Sequence, residues 1–366
     1  MKIVHVVEPF ASGIAVFVKL LVDTLQNDSH TIIHGERPVV MTAVEIKKTF
    51  KTTNVQFIRW QSVQREISVK KDVAAFFELY RLLRNLKNKN LVDAVHLHSS
   101  KSGFIGRLAC KLANIKNVVY TPNGAPFLVS RKKLANSFYK LFEKIGASFG
   151  GKVVCCSASE WEAYRKLGIK AVNINNGVAI ENSSSFQRIN EKSSKFRIVT
   201  CARITHQKNP FLYNEIAKQF EHLDQFEFIW AGDGEERQVL TAKNIIVTGW
   251  MPAEKAKELI NSADIYLSTS HFEGLSFSVL EALLLKKPIL LKDCIGNRDA
   301  VKNGLNGNLF RTAAEAVLKI MQFFNNPGML PLMGEYSRKF CKEEFDINST
   351  CKKYRYLYEG RNIMMS

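Results

Sequence analysis

The sequence predicts an α/β protein made of two Rossmann-like β/α/β domains. Strand-like apolar segments alternate with helical patterns throughout, the rhythm restarts at Phe196 after a polar stretch, and 366 residues are more than one core comfortably organises. Strands are expected over residues 3–7, 31–34, 55–60, 94–98, 118–121 and 153–156, with helices between them. Residues 181–194 are polar and serine-rich and read as the linker. The expected domains are therefore 1–186 and 187–344. The final segment, 345–366, carries Tyr354, Leu357 and Tyr358 at helical spacing.

Function is written most densely between residues 264 and 285. Asp264 to Thr269 alternates like a strand, and Ser276 is placed to cap a helix running through Glu281 to about Leu285. Glu273 and Glu281 are then expected two turns apart on one side of a loop-to-helix junction. Gly274 and Ser276 let backbone N–H groups approach an anion at the positive end of the helix dipole. Acids beside an anion site suit a ligand with hydroxyls on both sides of a diphosphate, as a nucleotide sugar has.

A second segment supplies cations. Residues 196–202 read as a buried strand, after which come Arg203, Lys208 and then Asn209-Pro210, a helix cap with proline at the first helical position. Both cations leave the carboxyl end of a strand, the edge at which open α/β sheets bind ligands, and both suit a diphosphate.

Taken together, the Glu273 to Glu281 pair, the Arg203 to Pro210 turn, Gly232-Asp233-Gly234 and the segment from Asp93 to Gly103 resemble the retaining glycosyltransferases of family 4, enzymes of the GT-B fold. Tyr120-Thr121-Pro122-Asn123-Gly124-Ala125-Pro126-Phe127 is similar to the branch that builds bacterial surface polysaccharides, such as capsule and lipopolysaccharide. The resemblance implies a hexosyltransferase with Arg203, Lys208 and Glu273 as catalytic residues, the two cations on the diphosphate and Glu273 on the transferred sugar. It implies that Glu281 holds the ribose, that Gly274, Leu275 and Ser276 cradle phosphate, and that Gly232 and Gly13 border the donor. It also implies a C-terminal tail that crosses back onto the first domain. No cofactor is expected beyond the substrate, a nucleoside-diphosphate sugar taken to be UDP-linked. The acceptor is expected to be a saccharide or a lipid-linked oligosaccharide. No Asp-x-Asp occurs, so metal-independent chemistry is expected.

Two positions depart from the family pattern. Ala11-Ser12-Gly13-Ile14 keeps a single glycine, and Asn123 stands where many relatives have histidine. An asparagine there offers an amide to a sugar hydroxyl but cannot carry a proton at neutral pH. His98, at a strand end, is the other candidate contact for acceptor or sugar, with His96 expected on the opposite face as a packed residue.

Charge points to location. Residues 1–190 hold 28 Lys+Arg against 13 Asp+Glu, whereas residues 191–366 hold 24 against 21, so the first domain is expected to face an anionic inner-membrane surface. Within it, 131–145 reads as a basic amphipathic helix. Leu134, Phe138, Leu141, Phe142 and Ile145 share a face expected to be mostly core-facing, with Lys132, Lys133, Lys140 and Lys144 largely elsewhere. The helix over 71–89, with Val73, Phe76, Phe77, Tyr80, Leu83 and Leu86, is expected in the core. Seven cysteines without a C-x-x-C pair read as reduced, buried thiols. With a strand beginning at residue 2 or 3 and no long apolar run, a cytoplasmic protein peripheral to the plasma membrane is expected. The competing readings are a nucleotide-sugar epimerase or sugar-phosphate synthase on the same fold, and a basic nucleic-acid-binding protein. The latter leaves the acids and strand-end cations idle and lacks a recognition motif, so no nucleic-acid partner is expected. A dehydrogenase is disfavoured because Ser12-Gly13 lacks the G-x-G-x-x-G turn.

Overall fold

The computed structural model describes residues 1–36, 43–64, 68–128, 133–180 and 195–361. The chain divides into two compact units, Met1–Asn176 with Ile347–Ser366, and Gly177–Asp346. This division precedes the expected one at 186/187, which lies, like the expected linker, outside the described residues. The reason is local: Val178 N–H donates to Phe345 O at 2.8 Å and Val178 bridges Asp346, tying the segment after Asn176 to the end of the second unit.

In the first unit the strands are β1 (Lys2–Val7), β2 (Ser29–His34), β3 (Val55–Arg59), β4 (Ala94–His98), β5 (Val118–Thr121), β6 (Lys152–Cys155) and β7 (Ala171–Asn173). The helices are α1 (Ser12–Thr24), α2 (Ala43–Lys48), α3 (Val69–Asn88), α4 (Ser100–Leu112), α5 (Lys133–Ser148) and α6 (Ala158–Lys166). All strands are parallel, in the order β3-β2-β1-β4-β5-β6-β7. Helices cover both faces of such a sheet, which is why β1 and β4 read as near-continuous apolar runs. Chain direction along the sheet reverses between β1 and β4, putting the loop after His98 at the edge where such sheets take ligands.

Two helices turn differently from the sequence expectation. In α3 the buried line is Ala75, Leu79, Leu83 and Leu86, while Val73 and Phe77 face out. In α5 the expected core face is the outer one: Phe138, Leu141 and Ile145 are 49, 53 and 40 % exposed, and only Phe142 is half-buried, against Phe104. What turns inward is Glu143, because Arg107 of α4 is buried and needs a carboxylate; its guanidinium lies 3.3 Å from Glu143 Oε2. Tyr120 OH donates to Glu143 Oε1 at 2.8 Å and the guanidinium stacks on the Tyr120 ring. Gly146 leaves room for that cation, since a Cβ there would lie 2.2 Å from Arg107 Nη2. Leu134, Lys132 and Lys133 have side chains outside the described set.

The second unit contains β8 (Phe196–Cys201), α7 (Pro210–Lys218), β9 (Phe226–Ala231), β10 (Ile245–Gly249), α8 (Ala253–Ser262), β11 (Ile265–Ser268) and α9 (Phe277–Leu284). It continues with β12 (Ile289–Lys292), α10 (Asn297–Ala300), β13 (Gly307–Phe310), α11 (Ala313–Asn325) and α12 (Met329–Glu344). Its strands are also parallel, ordered β10-β9-β8-β11-β12-β13, with the reversal between β8 and β11. The last helix, α13 (Ile347–Tyr358), belongs to the first unit. There Tyr358 OH pairs with His96 Nδ1 at 2.7 Å, Tyr354 OH with Thr121 Oγ1 at 3.1 Å, and Arg355 with Asp28.

Candidate active site

The reversal point of the second sheet gathers most of the residues expected to bind the donor. After β8, one 3₁₀ turn over His206–Lys208 ends at Asn209, whose backbone is left-handed and whose side chain accepts from Leu212 N–H, capping α7 with Pro210 next in line. After β11, the chain from Thr269 to Ser276 folds onto that turn. Thr269 Oγ1 donates to Lys208 O at 2.8 Å, His271 N–H to Gln207 O at 2.8 Å, and Gln207 Nε2 to Phe272 O at 3.2 Å. Within this clasp Lys208 Nζ and Ser270 Oγ both donate to Glu273 Oε1, each at 2.6 Å. Arg203 is half-buried just ahead of the turn.

Glycines allow the close approaches. Gly232 has φ +140°, and a Cβ there would lie 2.1 Å from Ala202 O, so the loop after β9 packs directly on the backbone that carries Arg203. Gly296 has φ +86°, and a Cβ there would stand 2.6 Å from Gly274 O and 2.7 Å from Glu273 O. Glu273 N–H donates to Ile295 O at 3.0 Å, so the turn before α10 backs the Glu273-Gly274 peptide. Sequence reasoning missed Ser270 and Gly296. The available signals were a hydroxyl three residues before an acid, and a glycine between a strand and a helix.

Glu273 is not on a helix face with Glu281. It lies buried in the loop, and α9 begins at Phe277 with Glu281 in its second turn. Ser276 occupies the cap position, but its hydroxyl makes no cap bond and instead meets Ser278 Oγ at 3.0 Å, drawn into the Tyr266–Ser278 bond. Leu275 is buried in the core. The Glu281 carboxyl is pushed up to about 7 by burial, opposed by Lys257 and reinforced by Glu254, and it faces Cys201 at the end of β8.

The remaining candidates lie in the first unit. Gly13 is exposed at the start of α1, after a left-handed Ser12. Asn123 and Gly124 form a left-handed pair after β5, with Asn123 half-exposed. His98 is wholly buried, and His96 lies on its own side of the sheet, the rings 3.9 Å apart. The expectation of opposite faces fails because residues two apart on a strand share a face. His98 Nε2 meets His5 Nδ1 at 3.2 Å, His5 Nε2 meets His30 Nδ1 at 3.2 Å, and His30 Nε2 meets Leu25 O. A carbonyl only accepts, so His30 Nε2 carries a proton, His5 donates from Nε2 and His98 donates from Nε2. Burial lowers all three from the usual imidazole value, His5 well below it and His98 to about 3, which favours the neutral rings. Ring nitrogens of His5, His96 and His98 lie within 4.8 Å of one another. Both nitrogens of His5 and of His96 are engaged in hydrogen bonds, and no carboxylate among the described residues joins the group, so the arrangement is that of a hydrogen-bonded imidazole chain.

Residues 11–182 match the family described as Glycosyltransferase Family 4, and residues 181–340 match Glycosyl transferases group 1. The chain belongs to glycosyltransferase family 4. Among relatives of this glycosyltransferase is an Escherichia coli UDP-Gal:alpha-D-GlcNAc-diphosphoundecaprenol alpha-1,3-galactosyltransferase, 26% identical over 319 residues, covering 80% of this chain and 81% of the relative. The fold is that of solved GT-B structures. Sucrose-phosphate synthase from Thermosynechococcus elongatus superposes with a TM-score of 0.80 at 14% identity, over 98% of this chain and 99% of the other. Anabaena HepE in complex with UDP and glucose does so with a TM-score of 0.75 at 15% identity, over 97% and 98%. Both family matches are to glycosyltransferases, which favours sugar transfer over the epimerase and nucleic-acid-binding readings. The seven cysteines are all free, six of them buried. Among the described residues no helix is long and apolar enough to cross a membrane.

Proposed function

We propose that this glycosyltransferase moves a hexose or N-acetylhexosamine from a UDP-linked donor to a lipid-linked saccharide, retaining anomeric configuration and using no metal ion. The observation that carries the reading is the clasp at the β8/β11 reversal, where Lys208 and Glu273 meet on loops from two central strands, with Arg203 on the same strand exit. As the sugar–phosphate bond breaks, negative charge gathers on the departing diphosphate. Arg203, Lys208 and the amino end of α9 oppose that charge in a fixed arrangement. The acceptor hydroxyl bonds to the anomeric carbon on the face the phosphate leaves, and its proton passes to a departing phosphate oxygen. No side-chain base or nucleophile is then required. The absence of Asp-x-Asp supports cationic side chains in place of a divalent ion. The Escherichia coli relative, by its name, uses UDP-Gal and a GlcNAc-diphospholipid, which supports these chemical classes here.

The acceptor class also fits α5. Exposed Phe138, Leu141 and Ile145, beside exposed Lys140 and Lys144, give the first unit an apolar strip with basic flanks, suited to the inner leaflet of the plasma membrane. The direct test incubates the protein with UDP-galactose and α-D-GlcNAc-diphosphoundecaprenol, with and without EDTA. Release of UDP that depends on the lipid, persists in EDTA and yields an α-linked product by NMR is expected. A β-linked product overturns retention, loss in EDTA overturns metal independence, and UDP release indifferent to acceptor overturns transfer. If a panel of UDP-hexoses and UDP-N-acetylhexosamines gives no turnover while another nucleotide does, the UDP assignment falls.

A further inference from the structure

In the first unit a buried carboxylate holds the turn that carries Asn123. Glu160 is fully buried, yet it forms no ion pair with a cation among the described contacts. Its Oε1 accepts from Gly124 N–H at 2.9 Å, and its Oε2 accepts from Cys156 N–H at 2.8 Å and from Cys156 Sγ at 3.2 Å. Local sequence explains half of this. Ser157 caps α6 by accepting from Glu160 N–H, the Ser-x-x-Glu arrangement in which the acid ordinarily turns back onto the start of its own helix. Here one oxygen does so, at the residue before the cap, and the other crosses to the loop after β5.

That loop needs an external hold. Asn123 and Gly124 have φ of +56° and +109°, consecutive left-handed residues that are costly for the asparagine. Asn123 Nδ2 donates to Thr121 O at 3.3 Å, a long bond inside the turn itself. The Gly124 amide donates to Glu160, so this carboxylate fixes the peptide that follows Asn123. Burial raises its carboxyl from the ordinary value, and three donors with no acceptor among them oppose that shift by favouring the ionised form.

We propose that Glu160 is a positioning residue for the saccharide acceptor, acting through Asn123 by clamping the Gly124 amide. This rests on the reading that Asn123 touches acceptor or sugar, and the experiment separates the two. Asn123→Ala, Glu160→Gln and the double variant are assayed for KM of α-D-GlcNAc-diphosphoundecaprenol and for UDP affinity. Glutamine keeps the shape but turns an amide N–H toward one of the main-chain donors. Glu160→Gln is expected to raise acceptor KM about tenfold while leaving UDP affinity within about twofold, and to add little in the Asn123→Ala background. Equal losses in UDP affinity, or full additivity in the double variant, would mean that Glu160 only supports the fold. Unchanged KM in Asn123→Ala alongside raised KM in Glu160→Gln overturns the role of Asn123 and leaves the clamp standing. A second measurement needs no variant: amide exchange in the unmodified protein. Slow exchange at Gly124 is expected, and exchange at the rate of an open loop overturns the clamp even if Glu160→Gln fails to fold.

Discussion

Lys208 Nζ and Glu273 Oε1 lie 2.6 Å apart, so the cation assigned to the diphosphate and the acid assigned to the sugar are first of all each other's partner. Glu273 is the more buried of the two, with 6% of its side chain exposed against 20% for Lys208. Removing the lysine therefore strands a buried carboxylate whose remaining side-chain partner among the described residues is Ser270, whereas removing the acid frees a cation that water can still reach.

Lys208→Met and Arg203→Ala are each expected to lower turnover more than donor affinity, by about 2–4 kcal/mol in the transition state, because the charge they meet grows as the bond breaks. Steady-state kinetics with a validated donor and acceptor, beside UDP titration, measures this. In the double variant Lys208→Met/Glu273→Gln the two effects should fall short of additive. Turnover near that of the unmodified protein in both cation variants would remove these cations from the chemistry.

Glu281 gives a pH signature. Its carboxyl, raised from 4.5 to about 7, is half-ionised at neutrality. A ribose hydroxyl donates best to the ionised form, so UDP affinity should rise by up to about tenfold from pH 6 to pH 8. Conformational stability runs the other way: the raised value favours the fold below the unfolded value near 4.5, and that contribution is lost as pH rises through 7. Glu281→Gln should flatten both profiles. Calorimetric UDP titrations at several pH values decide the first, and thermal melts decide the second.

Gly296→Ala probes the backing of the Glu273 loop. The new Cβ meets two carbonyl oxygens under 3 Å, at a backbone angle that alanine resists, so the loop must shift. A loss of about 1–3 kcal/mol in stability is expected, with turnover falling further than UDP affinity. A variant that melts and turns over like the unmodified protein would show that Gly296 does not hold Glu273 in place.

Membrane contact is tested by sedimentation with anionic vesicles. Changing Phe138, Leu141 and Ile145 together to Ser should weaken binding at all salt concentrations, since each inserted side chain is worth up to about 1.5–3 kcal/mol. Changing Lys140 and Lys144 to Gln should weaken it at low salt only, about 1 kcal/mol per charge before screening. Absence of binding by the unmodified protein at low salt would dismiss the contact and leave the transferase reading intact.

Much of this was legible in sequence. Alternation of apolar segments located β1, β4, β5 and β8 to within a residue or so, and the Asn209-Pro210 pair marked the start of α7 correctly. Motif spacing brought Lys208 and Glu273 forward as candidates, and the fold joins them. What pattern could not supply was direction. The apolar stripe of α5 looked like a core face, and only the buried guanidinium of Arg107, a residue from another helix, explains why Glu143 turns inward instead. The same limit hid Ser270, Gly296 and Glu160, whose importance comes from partners distant in sequence or from a close backbone approach.

The place of α13 has a consequence for synthesis. His96 and Thr121 take their tyrosine partners from residues 358 and 354, so the first unit stays open on one side while the whole second unit is being made. At about 5–20 residues per second that interval lasts from about ten seconds to under a minute. Until it ends, the imidazole chain and the apolar underside of the first sheet lack their cover. A nascent chain stalled before residue 347 should therefore be captured by a chaperone through its first unit, while its second unit already resists protease.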